Sequence, residues 1–309
     1  MSKTAILFAG QGAQKPGMGE SLYQTSAAAK DIFDRAEAIM PGIKELCFAG
    51  TQEELNQTCN TQPCVYTVDM AAYAAVQDAV CMDAAAGFSL GEYAALTASG
   101  VLSFEETLKL VIKRAAWMQH CAEQTGGGMA AVLGKTAGEV ETMLDGLRED
   151  GILRAVNYNC PGQTVIAADE KNFERFLKYA KENKVKAIPL AVSGAFHSEA
   201  MDEASGHILE YITNLEFASP QCTLYANALG EPYTDVLLKR TLAAQTAKPV
   251  YFEKIVRHML ATGVETFIEV GPGNTLSGFV KRTDKTAAVY NVSDAQTLEA
   301  TLAALNKGE

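Results

Sequence analysis

The chain has no run of about eighteen apolar residues, no Cys-x-x-Cys pair, no dinucleotide or phosphate-loop fingerprint and no excess of positive charge. Each absence removes a class of protein. Without a long apolar run or a charged-then-apolar leader, neither a membrane span nor a secretion signal is expected, and the expected location is the cytoplasm. The seven cysteines (Cys47, Cys59, Cys64, Cys81, Cys121, Cys160 and Cys222) are odd in number and lack paired spacing, which argues against a disulfide framework and a structural zinc site. Most are expected to be small core residues. Twenty-six basic residues against 37 acidic ones give a net charge of −11, a field that repels nucleic acid and anionic membranes alike, so neither is an expected partner. Two local basic clusters, Lys281 with Arg282 and Lys285, and Lys184 with Lys186, read as solvated charge faces. The Gly10-Gln11-Gly12 turn would need a third glycine at position 15 to bind a dinucleotide, but Lys15 stands there and Pro16 follows.

What is present is a full core. With 309 residues, 48% of them hydrophobic, the chain can bury one large domain, or one large and one small, without disulfide or metal staples. Thr4 to Phe8 reads as a buried strand and Ala84 to Phe88 as another, the latter from its position, because alanine is a poor strand former. Helical patterns run over Ala27 to Met40, Gln62 to Val80, Glu92 to Ala98 and Phe104 to Cys121. From about residue 128 to 190 the order becomes β-α-β-β-α-β: Met129 to Leu133, Ala137 to Leu147, Ile152 to Tyr158, Thr164 to Ala167, Asn172 to Glu182 and Lys186 to Leu190. That order predicts an inserted ferredoxin-like subdomain over 128–190, with 1–127 and 191–309 forming the large domain. In the large domain, helical Ser198 to Leu215, Leu237 to Thr246 and Phe252 to Ala261 lead to a strand at Glu265 to Val270. Strands alternating with helices imply an α/β fold, a mostly parallel, hydrolase-like sheet wrapped by helices.

Gly87-Phe88-Ser89-Leu90-Gly91 places a serine between glycines two residues away on either side, directly before a helical stretch. Small neighbours permit a sharp strand-to-helix turn that lifts the hydroxyl out of the backbone, where a carbonyl can reach it. A serine hydroxyl is a weak nucleophile at neutral pH and needs a base, and the chain has four histidines. His120, His207 and His258 fall inside helical patterns and read as surface or capping residues. His197 lies between a strand-like segment and the next helix, whose amino end would keep its ring neutral and able to accept a proton; the alternative is a structural histidine held by a turn carbonyl. Arg114 falls on the apolar stripe of its helix, with Phe104, Leu108, Val111, Ala115 and Met118. A guanidinium withdrawn from water requires an anion, either a ligand carboxylate or an internal partner such as Glu92.

These residues, with Gly10-Gln11-Gly12, Ala195-Phe196-His197-Ser198, Gln245 ahead of Pro249 and Glu269-Val270-Gly271-Pro272-Gly273, resemble the malonyl-CoA:acyl carrier protein transacylase family of fatty acid and polyketide synthesis. The resemblance covers essentially the whole chain. It implies Ser89 as nucleophile, His197 as base oriented by the backbone carbonyl of Gln245, the amides of Gln11 and Leu90 as oxyanion hole, and Arg114 as ligand for the malonyl carboxylate. Phe88, Asn159 and Phe196 are the implied pocket-lining residues. The family commonly has histidine where Phe88 stands, whereas Phe196 ahead of His197 matches its malonyl-selective form. Malonyl-CoA and acyl carrier protein are the implied partners, with no metal and no resident cofactor, and the chain is expected to act as a monomer. A serine thioesterase or hydrolase, a carrier-protein docking module, and a trans-acting acyltransferase of a polyketide synthase are the alternatives.

Overall fold

A computed structural model describes residues 3–192, 194–234 and 237–306. Among the described residues ten strands form two sheets: β1 (Lys3–Phe8), β2 (Ala84–Gly87), β3 (Gly128–Leu133), β4 (Leu153–Cys160), β5 (Gln163–Ala168), β6 (Lys186–Pro189), β7 (Thr223–Ala226), β8 (Glu231–Pro232), β9 (Val264–Val270) and β10 (Ala288–Val292). The larger sheet runs β10-β9-β1-β2-β7-β8 and is parallel except at the two-residue β8. Ala5, Ile6, Leu7 and Phe8 are all fully buried, because helices cover both faces of a parallel sheet. Ile6 and Phe8 pack with helices Thr58–Val76, Gly91–Ala98 and Phe104–Thr125; Ala5 and Leu7 pack with helices Phe252–Ala261 and Thr275–Thr283. The register pairs Phe8 with Gly87 on one side and with Val270 on the other. Three strands therefore end level, and the loops that follow them, starting at Ala9, Phe88 and Gly271, gather at the carboxyl edge of the sheet, where open α/β sheets form their crevices.

The second sheet, β4-β5-β3-β6, is antiparallel and has the ferredoxin-like order, with helices Ala137–Leu147 and Glu170–Glu182 on one face. Alternation along β3 divides its side chains: Ala130 and Val132 pack against those helices, while Met129 and Ala131 face Met118, Ala122, Phe196 and Met201 of the larger domain. The small sheet is also joined to the large body by backbone, since Tyr158 N–H donates to the Val250 carbonyl and Val250 N–H to the Val156 carbonyl, both at 2.8 Å.

Helix Thr58–Val76 begins a turn earlier than Gln62, with Pro63 inside it, and the segment expected as one helix from Ser198 divides into a short 3-10 turn, Glu199–Met201, and helix Asp202–Thr213. Strands β7 and β10 and helix Ala295–Leu305 were not expected: β7 has only four residues, β10 is a half-exposed edge strand, and the helix has weak periodicity. Cys47, Cys64, Cys121 and Cys160 lie in the core. Lys281 and Arg282 are tied to the Ala287 carbonyl and the Gln163 side chain. Among the described residues no helix is long and apolar enough to cross a membrane.

Asp69, on helix Thr58–Val76, is fully buried, and neither carboxylate oxygen has a hydrogen-bond partner among the described residues. Burial first, then the Glu269 charge, push its pKa well above the ordinary 3.8. The folded chain thus holds a proton that the unfolded chain releases near pH 4, so stability falls as pH rises above that value. D69N removes this titration. Its melting temperature relative to the parent protein is expected to be higher at pH 8 than at pH 5, and an equal difference at the two pH values would show that Asp69 is not protonated in the fold.

Candidate active site

The glycines flanking Ser89 set its turn. A Cβ at Gly87 would lie 1.8 Å from the Gly91 carbonyl carbon, and one at Gly91 would lie 2.2 Å from the Phe8 carbonyl oxygen. With both positions bare, β2 passes into helix Gly91–Ala98 through Phe88, Ser89 and Leu90 alone. Ser89 is left at φ 52°, a left-handed backbone that costs an ordinary residue of order 1 kcal/mol or more. Asn227, just after β7, spans the turn: its Oδ1 accepts from Ser89 N–H and its Nδ2 donates to the Gly87 carbonyl, each at 2.7 Å.

His197 also has a left-handed backbone, at φ 61°, with its N–H held by the Thr246 carbonyl at 2.9 Å. Its Nδ1 faces two carbonyl oxygens, those of Gln245 at 2.9 Å and Lys248 at 3.1 Å. Both are acceptors, which assigns the proton to Nδ1 and leaves Nε2 to accept from the Ser89 hydroxyl, 2.7 Å away. Burial, then the nearby positive charge of Arg114, lower the pKa of His197 to about 4. The neutral ring foreseen from a helix amino end thus has a different physical origin, and a three-residue 3-10 turn separates Ser198 from helix Asp202–Thr213. The other histidines lie elsewhere: His120 contacts Gln124, His207 stacks on Trp117, and His258 meets the Tyr225 hydroxyl.

Arg114 is 0% exposed, and its pKa is lowered by that burial. Its guanidinium donates to Gln62 Oε1 (2.6 Å), Gln245 Oε1 (3.0 Å) and Ser89 Oγ (3.3 Å), lies 5.0 Å from the centre of the Tyr93 ring, and has no acceptor for Nε–H among the described residues. These partners are neutral. The internal ion pair with Glu92 does not form, because the Gln245 amide stands between them and donates from Nε2 to Glu92 Oε2 at 3.0 Å. Glu92 is itself fully buried, and burial raises its pKa to about 7 against the opposing pull of its hydrogen bonds.

A cavity of about 480 Å³ opens above Ser89 between the two sheets, with Gln11, Phe88, Ser89, Asn159, Phe196 and His197 in its wall. Arg114, Leu90 and Gln245 are fully buried and stand behind that wall. The backbone N–H groups of Gln11 and Leu90 have no acceptor among the described residues. Phe88 packs against Phe252 and Phe279, at ring distances of 5.5 and 6.1 Å, so the wall is apolar where the related family commonly has a histidine. Gln62 and Asn227 did not stand out in the sequence. Neither carried a signal: Gln62 is one of several polar residues in its helix, with Asn60, Thr61, Thr67 and Asp69, and Asn227 lies 138 residues from Ser89.

The strand order and the Ser89–His197 pair are those of an α/β acyltransferase. The chain belongs to the acyl transferase domain family, which matches residues 6–303. It is 39% identical over 312 residues to a malonyl CoA-acyl carrier protein transacylase of Bacillus subtilis, covering 99% of this chain and 98% of that one. The crystal structure of a malonyl CoA-acyl carrier protein transacylase from Clostridium perfringens, 37% identical, superimposes with a TM-score of 0.94 over 99% of this chain and 98% of that one. A malonyl-transacylase in complex with a type II PKS acyl-carrier protein, 30% identical, superimposes with a TM-score of 0.93 over 98% of this chain and all of that one.

Proposed function

We propose that the protein transfers a malonyl group from malonyl-CoA to the phosphopantetheine thiol of acyl carrier protein, supplying fatty acid synthesis, through a malonyl ester on Ser89. The observation that carries this reading is Arg114, a fully buried cation with neutral partners only, 3.3 Å from the Ser89 oxygen. A buried guanidinium recognises a carboxylate through paired charge-assisted hydrogen bonds. An acyl group on Ser89 that ends in a carboxylate supplies the missing anion.

As Ser89 Oγ bonds to the thioester carbonyl carbon, its proton passes to His197 Nε2, and the oxyanion is met by the amides of Gln11 and Leu90. Each such donor is worth about 3 kcal/mol of barrier. The carbon–sulfur bond then breaks, and the proton on Nε2 goes to the departing sulfur of coenzyme A. In the second half, the carrier thiol gives its proton to Nε2 as its sulfur bonds to the ester carbon; Ser89 oxygen leaves and takes the proton back. Because His197 is held by carbonyls, no triad carboxylate enters. The Oδ1 atoms of Asn157 and Asn159, buried in the cavity wall without donors among the described residues, suit the amide N–H groups of the pantetheine arm that both substrates share. Every group in this scheme comes from one chain, so a monomer can carry it out, and no step in it calls on a metal or a resident cofactor.

Incubation with malonyl-CoA followed by peptide mapping tests the reading. The expected result is a malonyl adduct on Ser89 that is discharged by carrier thiol; an adduct on another residue, or none, overturns it. The likeness to a transacylase solved with a polyketide carrier protein supports a second reading, supply of a polyketide synthase in trans, and competition between fatty acid and polyketide carrier proteins decides between them. The pH profile is a further check. The base must be neutral, so kcat/KM for malonyl-CoA is expected to hold from pH 7 to about 5 and to fall as His197 takes up a proton near pH 4. An acid limb at the ordinary histidine value of 6.5 would mean that the ring is solvated.

A further inference from the structure

We propose that Glu92 is a positioning residue for recognition of the acyl carboxylate, holding the Gln245 amide so that its oxygen fixes the Arg114 guanidinium beside Ser89. The inference rests on the reading of Arg114 given above. Glu92 sits in the first turn of the helix that follows the serine, and it is fully buried. Its carboxylate accepts from three separate segments: Oε2 from Asn227 N–H (3.2 Å) and Gln245 Nε2 (3.0 Å), and Oε1 from the Tyr233 hydroxyl.

The consequence lies in how a primary amide is counted. Gln245 Nε2 has two hydrogens; one goes to the Ser89 carbonyl at 2.6 Å and the other to Glu92 Oε2. With both committed, Gln245 must turn Oε1 toward Arg114 Nη2, 3.0 Å away, and the same Nη2 reaches Ser89 Oγ. The row from Glu92 carboxylate through amide N–H and amide oxygen to guanidinium is aligned head to tail, so that each hydrogen bond polarises the next. Gln245 thus has two uses, its backbone carbonyl holding His197 and its side chain holding Arg114, and Glu92 governs the second.

A purely structural Glu92 would affect all acyl donors alike. A positioning Glu92 affects those that use Arg114. E92D keeps the carboxyl group but withdraws it by one carbon–carbon bond from Gln245. Loss of this one buried hydrogen bond predicts that kcat/KM for malonyl-CoA falls about tenfold while that for acetyl-CoA stays within about twofold. E92Q keeps the reach: its amide oxygen can accept from Asn227 and Gln245, and its NH2 can donate to the Tyr233 oxygen. Its malonyl-to-acetyl ratio is expected to stay within about threefold of the parent protein. Should E92D fail to fold, Y233F, which frees Glu92 Oε1 at a half-buried site, is expected to lower the ratio about threefold and takes its place. Equal loss for both donors in E92D, no loss for either, the same loss of ratio in E92Q, or an unchanged ratio in Y233F would each overturn the proposal. R114A, measured alongside, separates the two inferences: if it collapses the ratio and E92D does not, only the role of Glu92 fails, and if it leaves the ratio unchanged, the carboxylate reading itself fails.

Discussion

Replacing Ser89 by alanine is expected to abolish the covalent intermediate and to lower malonyl transfer by about five to six orders of magnitude. Loss of the oxygen removes the bond through which the acyl group is held between coenzyme A and carrier, so binding cannot substitute for chemistry. H197A should come close to the same loss. The hydroxyl, 2.7 Å from Nε2, has no other base within reach among the described residues, and the double variant should be little worse than either single one, because serine and imidazole act as a unit. Intact-mass measurement after mixing with malonyl-CoA, with transfer to carrier thiol followed in parallel, reads both effects. Transfer that survives in S89A at more than a trace would leave only a docking role for the cavity.

Replacing Arg114 by alanine should reduce kcat/KM for malonyl-CoA by about a thousandfold, the equivalent of roughly 4 kcal/mol for stripping a buried carboxylate of its partner. Acetyl-CoA, which brings no charge, should lose far less, so that the preference narrows or reverses. The same substitution bears on the hydrolase alternative. A carboxylate lodged against the guanidinium fills the space beside the ester and keeps water from it, so R114A should hydrolyse a larger share of the acyl-enzyme it forms. An unchanged malonyl-to-acetyl ratio, with the fold intact by thermal melting, would make Arg114 a structural residue. Its three neutral acceptors, Gln62, Gln245 and Ser89, would then be its complete set of partners.

Much of the site could be read in the sequence because its parts are locally encoded. Gly87 and Gly91 had to be bare for steric reasons confined to a few residues, and the apolar stripe that carried Arg114 inward is a property of one helix. The β-α-β-β-α-β order likewise follows from periodicity within 128–190, since each element there turns one face to the same small core. Asn227 and Gln62 could not be read in this way. Each is an ordinary polar residue until the strand order brings β7 beside β2, or until helices Thr58–Val76 and Phe104–Thr125 pack together. Gln245 was legible in part: its carbonyl was expected to orient His197, but its side chain, which links Ser89, Glu92 and Arg114, was not.

The amino-acid sequence by itself determined the chemistry: a hydroxyl on a strained turn, one histidine outside the helices, an arginine aimed at the core, and a net charge of −11. These depend on residue type, spacing and periodicity, which act over a few residues. The tertiary structure alone decided the charge states and the distances. His197 is neutral because it is buried beside Arg114, and the hydrogen-bond acceptors of Arg114 are neutral because an amide, and not Glu92, was packed against it. Desolvation and hydrogen-bond partnership are set by atoms that arrive from distant parts of the chain, and only folding specifies which ones arrive.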